Sequence, residues 1–177
     1  MRVAAHGLVD DLPGGWEARI TRTGTGTGAL APASAGVPSA GVPSAGLPVD
    51  GAVAHALAHF ATFALPDQRG DHGSGAVDRM TADDAFVVLA EHGPDSVGTA
   101  LFAPVGLPRI LRPGHFAARA LQRTIDGQGG HQRFFNEAGR AFSLYVVLGS
   151  LDRAAVVVPR VNAVLRTIRI DPGLVVR

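Results

Sequence analysis

The stretch from His131 to Ile170 constrains this chain more than any other. An aromatic run containing Phe134 and Phe135 leads into Glu137-Ala138-Gly139-Arg140, which suits a tight turn, and then into Ala141 to Leu148. Phe142, Leu144, Val146 and Leu148 share one face of that second strand, and Tyr145 and Val147 share the other. With apolar residues on both faces, the strand is expected inside a sheet and covered on both sides. Gly139 supplies the positive φ that a tight hairpin connection needs. Val161, Val164, Leu165 and Ile168 then recur at i, i+3, i+4 and i+7, the apolar stripe of a helix laid against the sheet. Proline is tolerated at the first helical position but costs about 3 kcal/mol in a helix interior. The helix is therefore expected to begin near Pro159, or to kink there if it begins nearer Asp152.

Upstream signals are weaker. Trp16 to Ile20 alternates apolar and charged residues, the period of a half-buried strand. Val53 to Leu65 is the next candidate strand, broken by Pro66-Asp67. Ser74 is placed to cap a short helix from Gly75 to Met80. Ala85 to Ala90 is continuously apolar and reads as a central strand, ended by His92-Gly93-Pro94. Residues 93–130 carry scattered Pro and Gly and are expected to form long loops.

Between Thr21 and Asp50 the composition changes. Thr-Gly repeats lead into a five-residue Ala-Gly-Val-Pro-Ser repeat. Proline removes a donor every fifth residue, glycine raises the entropic cost of ordering, and no side chains offset that cost. Residues 23–50 are thus expected to be a disordered insertion at the tip between two neighbouring strands of a single domain spanning 1–177. The Gly24, Gly26, Gly28 spacing lacks the following helix that a phosphate-binding loop requires.

Composition excludes several chemistries. The 177 residues are 46% hydrophobic and 18% charged, a globular balance. With no cysteine, disulfides, thiol nucleophiles and cysteine-held metal clusters are out. All 16 basic residues are Arg. Residues 1–108 carry 5 Arg against 11 acidic side chains, and 109–177 carry 11 Arg against 4. Two halves that interleave in one fold would neutralise each other; segregated, they would present a basic face to anionic partners. Asp10 and Asp11 interrupt the N-terminus before any signal-peptide core could form, and no apolar run reaches the roughly 20 residues needed to cross a bilayer. The expectation is a cytoplasmic protein without membrane association.

Candidate site residues fall in two groups. His55 and His59, four apart, with His72 downstream, could hold a metal on a helix, as in a small metal-dependent enzyme. On a strand the first two would lie about 13 Å apart, too far for one ion. Glu91-His92 at a strand end could form an acid–base pair, but no nucleophile accompanies it. The second group is Gln122-Arg123 with Gln128-Gly129-Gly130-His131-Gln132-Arg133, a polar, glycine-rich segment before a core strand. Loops held by rigid strands are where binding residues concentrate. Arg123, Gln128, His131, Arg133 and Arg140 are accordingly candidates for gripping an acidic protein surface or a small anion. No basic run with interleaved aromatics points to nucleic acid, and no cofactor is implied.

Asp84, Phe86, Val87 and Leu89 with Glu91, the Gly98 to Phe102 run, Leu121-Gln122-Arg123, Arg133 to Gly149 and Val161-Asn162 with Val164, Leu165 and Thr167 together resemble an uncharacterised actinobacterial protein family across residues 53–170. That resemblance implies no activity. In element order the chain is also similar to Mog1/PsbP-like proteins, which mostly dock to other proteins. The expected fold is α+β: a curved antiparallel sheet with a C-terminal helix packed on it, in a Mog1/PsbP-like sandwich. The expected function is a non-enzymatic binding or accessory protein. A metal-dependent enzyme using the histidines and a homo-oligomeric structural protein are the alternatives.

Overall fold

A computed structural model describes residues 1–23 and 55–172. The insertion expected at 23–50 lies, but for Thr23, outside the described residues. The chain is α+β, with two antiparallel sheets and one C-terminal helix. The larger sheet contains β3 (Glu17–Arg22), β4 (Ala56–Ala61), β5 (Ala85–His92), β6 (Gly129–Glu137) and β7 (Arg140–Leu148), in the order β3-β4-β5-β7-β6. The smaller contains β1 (Arg2–Ala5), β2 (Leu8–Asp11) and β8 (Arg169–Ile170), in the order β1-β2-β8. One curved sheet was expected; there are two, and neither is strongly curled. β3 and β4, which flank the insertion, are antiparallel neighbours, as the sequence predicts.

The hairpin forms where expected. Glu137 pairs with Arg140, leaving Ala138 and Gly139 as a two-residue turn with φ of 56° and 75°. Positive φ at both central residues matches the twist of the flanking strands, so Ala138 shares the left-handed backbone with the glycine. Alternation along β7 then sorts the core. Phe142, Leu144, Val146 and Leu148 join Val87, Leu89, Phe60 and Phe135 on one face, under the helix. Tyr145 and Val147 join Phe86, Val88 and Leu57 on the other, beneath Leu65 and Ala76. The central strands are covered on both sides, as their continuous apolar runs require.

Helix α1 spans Ala154–Thr167 and buries Val157, Val161, Val164 and Leu165. It starts at Ala154, five residues before Pro159, so of the two starts that the sequence left open the one nearer Asp152 is realised and the one at the proline is not. Pro159 cannot donate to the carbonyl of Ala155, but both residues are exposed, so water can take the unused acceptor. The C-terminal carbonyls are held too. The Arg109 guanidinium donates to Leu165 O at 2.7 Å and to Ile168 O, and pairs with Glu137 at 3.2 Å. A cation at this end also complements the helix dipole.

Between Gly75 and Met80 only a 3-10 turn, Val77–Arg79, forms, and Ser74 does not cap it. The loop before β6 is pinned in three places. Pro104 and Gly106 bond the backbone of Asn136, each at 2.8 Å. Asn162 accepts from Leu111 N at 2.8 Å and donates to Leu111 O at 3.0 Å. Ala117 exchanges two 3.0 Å bonds with Gly130. The chain thus leaves the β6 edge at Gly106, crosses the helix-side face through buried Leu107, Leu111 and Phe116, and returns at Ala117.

Candidate anion-binding cleft

Gly129 and Gly130 are strand residues, not a flexible loop, and their missing side chains admit neighbours. A Cβ on Gly130 would come within 2.9 Å of the Ala120 backbone, and one on Gly129 within 2.2 Å of Leu151. The 3-10 turn Ala118–Ala120 can therefore close against β6. Where it does so, a cleft of about 430 Å³ opens, lined by His115, Arg119, Leu121, Gln122, His131 and Gln132 with two alanines. The His115 and His131 rings stack at 5.7 Å, with Phe116 a further 5.7 Å neighbour of His131. His131 Nδ1 lies 3.2 Å from the His115 carbonyl, so it carries the proton in the neutral ring and donates it. Nε2 is buried and lacks a partner among the described residues. Burial holds the His131 pKa below its ordinary value; the His115 carbonyl opposes this, and the His115 imidazole and Arg133 reinforce it. Among the described residues no carboxylate lines the cleft.

Of the five candidates for gripping an anion, only His131 lines this cleft. Arg123 is exposed and paired with Asp78. Gln128 is buried, and its amide donates to Val77 O at 2.9 Å, fastening the 3-10 turn to the sheet. Arg133 is exposed on β6. Arg140 lies at the opposite end of the hairpin, eight residues from the position paired with Gly129, or about 27 Å by strand rise. The arginines do not converge. Instead Arg140 is buried against Glu91 at 2.7 and 2.8 Å and donates to the carbonyls of His6, Gly7 and Asp171. Sequence reasoning passed over His115 and Arg119, because nothing local marks two residues that meet β6 only through the returning loop.

The histidine group also separates. His59 is buried with both ring nitrogens engaged, Nε2 with Asp71 O at 2.9 Å and Nδ1 with Arg69 at 3.1 Å. His55 lies just before β4, four residues away, and His72 packs edge-on against Tyr145. Among the described residues no three His, Cys, Asp or Glu side chains are placed to hold a metal. Glu91 and His92 point to opposite faces of β5, so they cannot act as a pair. His92 Nε2 meets Ser143 Oγ at 2.9 Å, with Ser143 buried and the Phe102 ring 4.9 Å from the imidazole.

Two buried ionisable groups give opposite pH dependences. Desolvation lowers the His59 pKa from 6.5 to about 4. The unfolded chain therefore binds the extra proton first, so this stabilisation is complete above pH 6.5 and lost as pH falls towards 4. The difference is worth about 3 kcal/mol at about 1.4 kcal/mol per pH unit. His59→Gln is expected to flatten the acid limb of a denaturation-versus-pH curve; an unchanged limb would contradict the assignment. Asp10, 1% exposed, has both oxygens buried without a partner among the described residues. The nearby Thr167 hydroxyl is spent on Val164 O at 2.7 Å. Desolvation raises the Asp10 pKa, so its contribution is complete below the ordinary carboxylate pKa and lost as pH rises through the elevated one. Asp10→Asn is expected to raise the melting temperature relative to wild type by an amount that grows as pH rises from the ordinary carboxylate pKa through the elevated one.

Fold and cleft together define a class: an α+β protein of two antiparallel sheets with an imidazole–guanidinium cleft at a sheet edge. No family model, curated protein or solved structure matches the chain.

Proposed function

We propose that this is a cytoplasmic accessory protein without catalytic activity, which docks an anionic group of a partner molecule in the His115–His131 cleft. The observation that carries the reading is the lining itself. Two imidazoles, one guanidinium and two side-chain amides converge on about 430 Å³ with no carboxylate among the described residues that line it. Arg119 provides a permanent charge with forked donors, His115, whose Nδ1 accepts from Arg112 N, provides a donor at Nε2, Gln122 and Gln132 supply neutral ones, and His131 Nε2 becomes a donor only on protonation. Reading the element order as Mog1/PsbP-like is part of this proposal, an analogy for protein docking that carries no residue roles. Inorganic phosphate titrated into the protein at pH 6 is expected to shift the His115 and His131 imidazole resonances along one saturating curve. Arg119→Ser should weaken the apparent affinity about tenfold, in line with loss of one charge-assisted contact. Imidazole resonances that stay still to tens of millimolar phosphate would remove the proposal.

A further inference from the structure

The cleft sits at the free edge of β6, and that edge is open over a short window. Gly130 spends its outward N–H and C=O on Ala117, and Asn136 spends its own on Pro104 and Gly106. Residues two apart on a strand direct their backbone groups to the same side. The N–H and C=O groups of Gln132 and Phe134 therefore also face outward, and neither has a backbone partner there among the described residues. Gln132 is exposed and Phe134 half-buried, so the window is reachable. It measures about 20 Å between Gly130 and Asn136, room for a strand of about four residues.

We infer that this window takes the C-terminal end of an extended peptide, added antiparallel to β6, with its terminal carboxylate in the cleft; the inference rests on the anion-binding reading above. Strand addition supplies main-chain hydrogen bonds and leaves selectivity to adjacent pockets. A chain running antiparallel to β6 from the Asn136 end arrives at Gly130, where Ala117 already occupies the edge and blocks further pairing. A chain end fits there better than a continuing segment. At that point lie His131 from one face of the sheet, Gln132 from the other, and His115 and Arg119 from the returning loop. A carboxylate is the group that the peptide brings and this charge complements.

The test uses the full chain, immobilised, and a pool of fluorescent heptapeptides randomised at every position, as free acids and as C-terminal amides. Free acids should be retained at least tenfold more than amides. Phe134→Pro, which deletes one outward N–H at an edge position outside the cleft, should cut retention about tenfold relative to Phe134→Ala, which keeps that N–H, and leave the phosphate-induced imidazole shifts unchanged. In the wild type, retained peptides should slow amide exchange at Gln132 and Phe134. Equal retention of acids and amides overturns the carboxylate assignment, and exchange at those amides unchanged by peptide overturns the strand addition. Imidazole shifts with phosphate but no retention of either pool would defeat this inference and spare the cleft, whereas no shifts would defeat the cleft itself. Exchange that slows with protein concentration alone would give the edge to a second copy of the chain and overturn the peptide reading.

Discussion

Arg140→Ala is expected to lower the unfolding free energy by about 3–5 kcal/mol, the range for breaking a buried ion pair and leaving one partner uncompensated. Arg140 is 9% exposed and joins four separate parts of the molecule. Its guanidinium binds both oxygens of Glu91 on β5, the His6 and Gly7 carbonyls in the β1–β2 turn and the Asp171 carbonyl beyond β8. It also lies 5.1 Å from the centre of the Phe142 ring. Arg140 thus ties the small sheet to the large one, beside the Arg22–His6 hydrogen bond and the apolar core that the two sheets share. Glu91 in turn accepts from Ala56 N at 2.9 Å. Desolvation alone would raise the Glu91 pKa, but the Arg140 and Ala56 hydrogen bonds outweigh it and hold it below the ordinary value. The stabilisation is therefore present above the ordinary carboxylate pKa and lost as pH falls through the lowered one. Urea denaturation at pH 7 measures the loss, and a double-mutant cycle with Glu91→Gln isolates the pair. Arg123→Ala, removing an exposed pair with Asp78, should stay within about 0.5 kcal/mol. An Arg140 effect that small would show that the hub carries no stability.

Phe142→Ala should cost about 3–5 kcal/mol, the range for deleting a buried aromatic ring. Phe142 has no exposed surface and stacks on Phe135 at 5.7 Å. It shares the helix-side core with Leu144, Val161 and Leu165, so truncation leaves a cavity walled by two strands and α1, which cannot all collapse into it. Leu165→Ala should cost about 2–5 kcal/mol for the same reason. Phe134→Ala, on the partly open face, should cost distinctly less, because some of that ring remains in solvent. Equal losses at Phe134 and Phe142 would mean that the two faces of β6 and β7 are wrongly assigned. Because Arg140 touches Phe142, the double variant is expected to lose less than the two single losses combined.

The core was legible where pattern and length cooperate. Seven of the nine residues of β7 are apolar and alternate between its two faces, and a four-member stripe marks α1 and its C-cap, so local periodicity alone predicts which side chains face each other. The short strands were not legible. β1 and β2 have four residues each and β8 two, too few for a period to stand out, and they exist only because they pair with one another. Gln128 and Arg140 looked like surface polar residues, since the partners that bury them, Val77 and Glu91, lie 51 and 49 residues away.

From sequence alone came the α+β class, the tight hairpin at Ala138-Gly139, the two-sided burial of the central strands and the adjacency of β3 and β4 across the insertion. These follow from alternation, helical spacing and turn chemistry, which act over a few residues. Tertiary structure decided the division into two sheets, the start of α1 ahead of Pro159, the burial of Arg140 and the cleft. His115 and His131 are 16 residues apart and stack because Ala117 pairs with Gly130 and the absent Gly130 side chain lets Ala120 approach. That meeting depends on where a pinned loop returns to a strand edge, which no local pattern encodes.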